Sequence, residues 1–270
     1  MTVKVLISTM NESEPRNLLK KMNVSSDAVI INQCGYKKAD KFRFNNNKIT
    51  YICNDETGLS RSRNKAILNT NKDDNICLLA DDDLIYVANY CEVVKRAFDE
   101  NPDYDIITFQ VEGKNKFFKS YRKISKRLGY FSSLKVSSVE IAFNIEKIKN
   151  KNIKFNEMFG SGSDYKMGEE NIFLYQCLQK GLKIKYVPIK IADLYIGEST
   201  WFNGFDNKYF FDRGAVFTAM SKRWASLLIL QFAVRRYKLY KNEISLTNAI
   251  KNMLNGRKNY LSERTGEILN

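Results

Sequence analysis

Three consecutive aspartates follow an apolar run in the stretch NICLLADDDLIY, residues 75–86. Neighbouring carboxylates repel each other, so Asp81, Asp82 and Asp83 at the end of a buried strand need a cation. Carboxylate oxygens are hard ligands that suit Mg²⁺ or Mn²⁺, and such ions often bind substrate phosphates as well. The alternative is an acidic turn that caps the next helix. The strongly apolar run before the triplet favours a metal-binding site.

A second segment that could do chemistry is GLSRSRNKAI, residues 58–67. It places Arg61, Arg63 and Asn64 at the start of a predicted helix. Arginines and helix N-termini both bind anionic oxygens. A solvated basic helix face is the commoner alternative, so this segment alone does not decide between the two.

A third segment is GEEN, residues 168–171, which places Glu169 and Glu170 in the first turn of a predicted helix. Acidic residues in a first turn often only complement the helix dipole. A carboxylate beside a glycine-rich loop can also act as a general base. Both interpretations stay open on the segment alone.

The composition restricts the reaction class and the partners. The chain has no histidine, which excludes a histidine base, a histidine metal ligand and a Ser-His-Asp triad. Five cysteines without metal-type spacing indicate reduced thiols in a cytosolic protein. The net charge of +14 favours anionic partners such as nucleotide phosphates or a membrane surface. We expect neither a signal peptide nor a membrane-spanning helix.

The elements that must position these residues alternate along the first half of the chain. Strands are predicted at 3–9, 27–34, 48–54, 75–80 and 104–111, with helices at 15–22, 60–70 and 89–102 between them. This alternation predicts an α/β fold with parallel βαβ units. Ligands of such sheets bind beyond the carboxyl ends of the strands, where the aspartates lie.

The second half of the chain is predicted to be less regular. Residues 113–135 are basic and aromatic, typical of a mobile loop or an exposed hairpin over the site. A strand is predicted at 136–144, a helix at 168–181, and two short strands, broken at Pro188, over 182–197. One long helix is predicted over 212–240, and another over 245–261 that closes at Gly256. The basic loop also suits single-stranded nucleic acid, but the chain has no nucleic-acid-binding motif.

The ordered set IST-x-N, G-x-S-x-x-R-N-x-A-I, a strand ending in D-D-D and then G-E-E-N resembles the family 2 glycosyltransferases of GT-A fold. It looks closest to bacterial enzymes that build capsule, exopolysaccharide or other surface glycans. The resemblance covers residues 1–200, which implies a catalytic domain with a Rossmann-like, mostly parallel sheet flanked by helices. Residues 201–270 would form a helical extension.

This resemblance implies a metal-dependent, inverting transfer from a nucleotide-sugar, with UDP favoured, to an acceptor hydroxyl. Asp81 would meet the ribose or sugar, Asp82 would share a role with its neighbours, and Asp83 would bind Mn²⁺ or Mg²⁺ on the diphosphate. Glu170 would be the general base, with Glu169 as the alternative. The remaining implied donor-binding residues are Ser8, Thr9 and Met10 at the base and Arg61, Arg63 and Asn64 at the diphosphate.

Two departures from the family pattern matter. Where many relatives have an acidic residue that recognises uracil, this chain offers Asn32 and Gln33, whose amides can also pair with uracil. Where many relatives have a late histidine as a metal ligand, Asp193 is the available oxygen ligand. A purely structural aspartate at a strand end is the favoured alternative for Asp193.

The extension contains ASLLILQFAV, residues 225–234, flanked by Lys222, Arg223, Arg235 and Arg236. About ten residues are too few to span a bilayer. They suit a helix in an anionic membrane surface, a core helix or a dimer contact. The first would place the enzyme on the cytoplasmic face of the plasma membrane, beside a glycan or lipid-linked sugar acceptor.

Two other function classes compete with this interpretation. A degenerate GT-A domain could bind carbohydrate or a partner without catalysis. A nucleotidyltransferase also uses strand-end aspartates and a metal ion. It would be expected to carry a glycine-rich, lysine-containing loop near the N-terminus, and VLISTMNESEP has none.

Overall fold

The computed structural model describes residues 1–71, 73–197 and 204–266, with side chains up to residue 263. The strands are β1 (Val3–Met10), β2 (Asp27–Gln33), β3 (Lys38–Phe44), β4 (Asn47–Asn54), β5 (Ile76–Asp81), β6 (Leu84–Tyr86), β7 (Ile106–Gly113), β8 (Lys126–Leu128), β9 (Ile141–Asn144) and β10 (Ile184–Leu194). The helices are α1 (Pro15–Lys21), α2 (Leu59–Leu68), α3 (Tyr90–Asp99), α4 (Tyr130–Ser133), α5 (Ile145–Asn150), α6 (Glu169–Gln179), α7 (Asn207–Met220), α8 (Ala225–Tyr240) and α9 (Leu246–Gly266).

These strands form one sheet in the order β3-β4-β2-β1-β5-β9-β7-β10-β6, and β8 pairs with β10. The central strands β4, β2, β1 and β5 are parallel, as the alternation of strands and helices predicts. β9 runs antiparallel between β5 and β7, while β7 and β10 are parallel to each other. The result is a mixed α/β fold with a parallel centre.

The central strands carry apolar side chains on both faces because both faces of the sheet are covered. In β1, residues 3–9 are all buried. One core cluster lies on each face, the first including Val5, Ile7 and Leu78 and the second Leu6 and Leu79. This double burial fixes the register, since a slip by one residue would exchange the two faces.

The register brings the carboxyl ends of three strands together. Ser8 of β1 lies opposite Asp81 of β5, and Met10 of β1 lies opposite Gln33 of β2. A site built beyond these strands therefore draws on β1, β2 and β5 at once.

Two strand predictions and the prediction for the segment 113–135 need correction. β10 continues through Pro188 as one strand, because its pairing with β7 is irregular between Tyr186 and Ala192 and Pro188 needs no partner there. A 3₁₀ helix at Ser138–Glu140 replaces the first part of the strand predicted over 136–144. The segment 113–135 contains β8 and α4, and β8 is tied to the sheet rather than forming an exposed hairpin.

The prediction of one long helix over 212–240 is wrong. Ser221 has an extended backbone (φ −159°, ψ 108°), which ends α7 before α8 begins. Gly256 lies inside α9 rather than closing a helix. A Cβ atom at Gly256 would lie 1.8 Å from the carbonyl oxygen of Phe211, and one at Gly214 would lie 1.9 Å from that of Met253. The two glycines thus allow α7 and α9 to pack backbone to backbone.

The three C-terminal helices share a core with the segment around α6. This third cluster joins Phe159, Tyr165 and Ile172 to Phe210 and Met253 among others. The predicted domain boundary at 200/201 falls within 198–203, outside the described residues. Among the helices that the structure describes, none combines the length and the apolar character needed to cross a bilayer.

Candidate active site

A cleft of about 960 Å³ opens beyond the carboxyl ends of β1 and β5. This volume lies within the range of small-molecule sites. Ten of its lining residues carry the argument below: Ser8, Thr9, Met10, Gln33, Asp81, Asp82, Asp83, Glu169, Glu170 and Arg213. The cleft therefore brings together the aspartate triplet and the GEEN segment, as the sequence predicts.

Arg63 organises the wall of this cleft from α2. Its Nη1 atom donates to Glu169 Oε1 at 2.7 Å. Its Nη2 atom donates to Asp81 Oδ1 at 3.2 Å and to Ser138 Oγ at 2.8 Å. The guanidinium is 1% exposed. A planar guanidinium presents several donors in a fixed geometry and can therefore hold two carboxylates at once.

Burial and opposite charge act against each other on the pKa values of Arg63 and Asp81. Burial by itself would lower the pKa of Arg63, but the carboxylates of Asp81 and Glu169 outweigh it and raise that pKa. Burial also raises the pKa of Asp81, while Arg63 opposes the increase. Arg63 therefore stays charged and keeps both carboxylates in fixed positions.

The other two aspartates have different surroundings. The Thr9 hydroxyl donates to Asp82 Oδ2 at 2.5 Å. Asp83 Oδ1 is buried and has no hydrogen-bond partner within the described residues. Burial, followed by the charges of Asp81 and Asp82, raises the pKa of Asp83 to about 6. Because Asp83 lines the cleft, a bound cation would supply the partner that this carboxylate lacks.

The structure does not bring Asp193 to this cluster. Its carboxylate pairs with Lys190 Nζ at 2.5 Å and with Lys114 Nζ at 3.3 Å, and it does not line the cleft. No group of three acidic, cysteine or histidine side chains in the described ranges could enclose a metal. In this structure Asp193 is thus an ion-pair residue outside the cleft, as in the structural alternative. The remaining donors fit an ion held by Asp83 and Asp81 and shared with substrate phosphates.

Ser8, Thr9, Met10 and Gln33 line the part of the cleft at the ends of β1 and β2. The Ser62 hydroxyl donates to Ser8 Oγ at 2.8 Å. Gln33 Oε1 accepts from the backbone N–H of Gly58 at 2.7 Å, which fixes the loop before α2. These four residues lie where the sequence predicts a nucleotide base.

Asn32 is a correction to the predicted donor-binding set. Its side chain is fully buried. Its amide nitrogen donates to Glu12 O and to Tyr51 Oη, both at 2.7 Å, and its oxygen accepts from Glu12 N at 3.0 Å. Because every polar atom is engaged, Asn32 holds the segment after β1 and does not face the cleft.

Arg61 and Asn64 also lie away from the predicted diphosphate position. Arg61 is half exposed and pairs with Glu157 at 3.4 Å. Asn64 donates to Phe155 O at 2.9 Å and accepts from Phe155 N at 2.8 Å, a strand-like pairing made by a side chain. Neither residue lines the cleft, and the buried Arg63 does not line it either. The structure therefore places none of the three at the predicted diphosphate position, and Arg63 instead contacts Asp81 and Glu169, which do line the cleft.

Comparison with known proteins identifies the family to which this chain belongs. Residues 35–167, which include Arg63 and the aspartate triplet, match the sequence profile of Glycosyl transferase family 2. The chain is a family 2 glycosyltransferase. No curated protein matches the enzyme by sequence.

Solved structures of S. aureus TarS residues 1–349 are similar to this transferase. The structure without a named ligand has a TM-score of 0.61 at 13% identity, over 97% of this chain and 92% of that one. The structures with UDP and with UDP-GlcNAc have TM-scores of 0.63 and 0.64, also at 13% identity. Each match covers 98% of this chain and 92% of the TarS chain. At this identity the similarity confirms the GT-A fold alone.

The structure distinguishes the two glutamates of the transferase. Gly168, with φ of +84°, precedes α6 and leaves no room for a side chain, since a Cβ atom would lie 2.7 Å from Val216. Glu169 is buried and held by Arg63. Glu170 lines the cleft, and burial, followed by the charge of Glu169, raises its pKa to about 8. Glu170 is therefore the carboxylate that is available to a substrate.

Arg213 is the main site residue that sequence reasoning missed. It projects from α7 into the cleft beside Glu170, whose pKa its charge lowers. The guanidinium lies between the Tyr209 and Phe232 rings, at 5.3 and 5.4 Å from their centroids. Its Nε atom is buried without a partner among the described residues. Helix α7 thus contributes a side chain to the candidate active site.

Proposed function

We propose that the enzyme transfers a sugar from a UDP-sugar to an acceptor hydroxyl, with inversion at the anomeric carbon and with a divalent cation. One observation supports this above all. Arg63 bonds both Asp81 and Glu169 and thereby connects the aspartate triplet to α6, the helix that carries Glu170. The triplet and Glu170 line the same cleft. TarS, which shares the fold, was solved with UDP-GlcNAc, and that supports UDP as the nucleotide.

At the donor end, Ser8, Thr9, Met10 and Gln33 would bind the nucleoside. Mn²⁺ or Mg²⁺ held by Asp83 and Asp81 would offset the charge that develops on the leaving diphosphate. Arg63 holds Asp81 in place through its fixed guanidinium. A donor bound in this way presents its anomeric carbon toward the α6 side of the cleft.

At the acceptor end, Glu170 would take the proton of the attacking hydroxyl. The acceptor oxygen forms its bond to the anomeric carbon as the bond from that carbon to the diphosphate oxygen breaks on the opposite face. The proton remains on Glu170 and UDP leaves with the bonding electrons. Attack from the side opposite the leaving group inverts the anomeric configuration.

We propose a glycan or lipid-linked sugar of bacterial surface-polysaccharide synthesis as the acceptor. The motif resemblance to enzymes of that class supports this. The pocket residues do not specify the sugar that is transferred, so a screen of several donors is the direct approach.

The experiment is a screen of UDP- and GDP-sugars with Mn²⁺ that measures release of nucleoside diphosphate. We expect release from a UDP-sugar, and at least a hundredfold loss in Asp83→Asn. Asp193→Asn is the matched control, because it removes the same charge from a carboxylate that does not face the cleft. Equal losses in both variants, or release from GDP-sugars alone, would contradict the proposal.

A further inference from the structure

Helix α8 is apolar on two opposite faces. Leu228, Ile229, Ala233 and Tyr240 are buried and belong to the core shared with α7 and α9. A helix with apolar residues all round is normally covered all round. Its outward face is exposed in the part of the chain that the structure describes.

The outward face carries a continuous apolar stripe. Leu227, Leu230 and Val234 are 54%, 53% and 60% exposed, and Tyr237 is 38% exposed. Spacings of three, four and three residues place these four on one line along the helix. Trp224 precedes the helix and is 54% exposed. Exposed apolar residues in one stripe, rather than scattered singly, indicate an interaction surface.

Cations surround this stripe. Lys241, the residue that ends α8 with helical backbone angles, lies four residues after Tyr237 and continues the same line. Arg223 lies in the turn just before the helix and is exposed. The segment 222–241 contains Lys222, Arg223, Arg235, Arg236, Lys238 and Lys241 and no acidic residue. The guanidinium of Arg223 lies 5.3 Å from the ring of Trp224, at the end of the stripe.

We propose that the outward face of α8 binds an anionic phospholipid membrane surface. The helix would lie in the plane of the interface, with the stripe among the headgroups and the cations at lipid phosphates. A second copy fits this face less well. A two-fold contact through the stripe would bring the cations that flank it in both copies close together, and segment 222–241 has no acidic residue to pair with them.

The membrane inference rests on the proposed function, because an enzyme bound at a membrane surface would meet a lipid-linked acceptor directly. Membrane binding is nevertheless measurable without turnover. A failure of the binding test would leave the transfer chemistry intact, and a failure of the donor screen would leave the binding result intact.

The test is flotation of the full chain with phosphatidylcholine vesicles, alone or mixed with phosphatidylglycerol. We expect at least tenfold stronger partitioning onto the anionic vesicles, and weaker partitioning at high salt. The combined variant Leu227→Ser, Leu230→Ser and Val234→Ser should lose most of this partitioning and keep its affinity for UDP. Leu68→Ser is the matched control, because Leu68 is 70% exposed on α2 and lies outside the stripe.

A second variant, Arg223→Gln with Lys241→Gln, changes only exposed polar side chains and therefore leaves the fold intact. It should lose several-fold in partitioning onto anionic vesicles and nothing on neutral ones. Equal partitioning of the wild type onto both vesicle types would overturn the proposal, as would full retention of binding in the serine variant. A wild-type dimer that the serine substitutions dissociate, without vesicle binding, would assign the face to a second copy.

Discussion

The guanidinium of Arg63 contacts the carboxylate of Glu169 at 2.7 Å, and both groups are almost completely buried. Glu169 begins α6, the helix that also carries Glu170, whereas Arg63 reaches Asp81 through its other terminal nitrogen. Arg63 therefore holds the end of β5 and the start of α6 together beside the cleft. Loss of one partner would leave the other as an unpaired buried charge.

Replacement of Arg63 tests this arrangement. We expect Arg63→Met to lower the free energy of unfolding by about 3–5 kcal/mol, because two carboxylates lose their counter-charge in a buried position. Arg61→Met, at a half-exposed surface pair, should cost less than about 1 kcal/mol. Urea denaturation of both variants measures the difference. Similar losses would show that Arg63 has no special role in the packing of the site.

Glu170 should control the pH dependence of the reaction. Burial and Glu169 raise its pKa to about 8, and Arg63 and Arg213 oppose that increase. Because the base must be deprotonated, kcat/KM should rise with pH below about 8 and level off above it. Glu170→Gln should reduce kcat by about 10²–10⁴ and leave the affinity for UDP within twofold. A flat profile between pH 6 and 8 would assign the base elsewhere.

Arg213 should act on the acceptor side of the cleft. Arg213→Gln removes a cation beside Glu170, so the pKa of Glu170 should rise and the pH profile should shift to higher pH. The acceptor KM should increase by about tenfold, the cost of one lost charged hydrogen bond, with UDP affinity unchanged. Arg223→Gln, on the exposed end of α8, is the control. Weakened UDP binding in Arg213→Gln would move the residue to the donor side.

Asn32 and Gln33 should behave differently although they are adjacent. Asn32→Ala leaves the backbone N–H of Glu12 without its acceptor, whereas Tyr51 Oη still donates to Glu12 O. We therefore expect a loss of about 1–3 kcal/mol in unfolding free energy with UDP affinity preserved. Gln33→Ala should weaken UDP binding at a smaller cost in stability. Thermal melts and UDP titrations of the two variants separate these roles. The reverse pattern would restore Asn32 to the donor site.

The parts of the site that sequence could predict are those encoded locally. The aspartate triplet follows a fully apolar strand, and the register of parallel strands then dictates that it meets Ser8 at the sheet edge. Arg63 and Glu169 lie in recognisable segments at helix starts. Periodicity and motif order are sufficient for residues of this kind.

The errors concern side-chain direction and long-range packing. Adjacent strand residues point to opposite faces, so nothing local reveals that Gln33 faces the cleft and Asn32 the core. Asn64 is likewise used by a distant backbone segment at Phe155. Arg213 reaches the cleft from α7, whose close packing on α9 depends on Gly214 and Gly256. No local pattern encodes that contact.

The most direct test of the account is calorimetric titration of UDP into the wild type and Asp83→Asn, each with and without Mn²⁺. If a cation held by Asp83 and Asp81 joins the diphosphate to the protein, Mn²⁺ should strengthen UDP binding to the wild type by at least about tenfold. The same addition should have little effect on Asp83→Asn. Equal UDP affinity with and without Mn²⁺ in the wild type would contradict the proposed metal-dependent transfer.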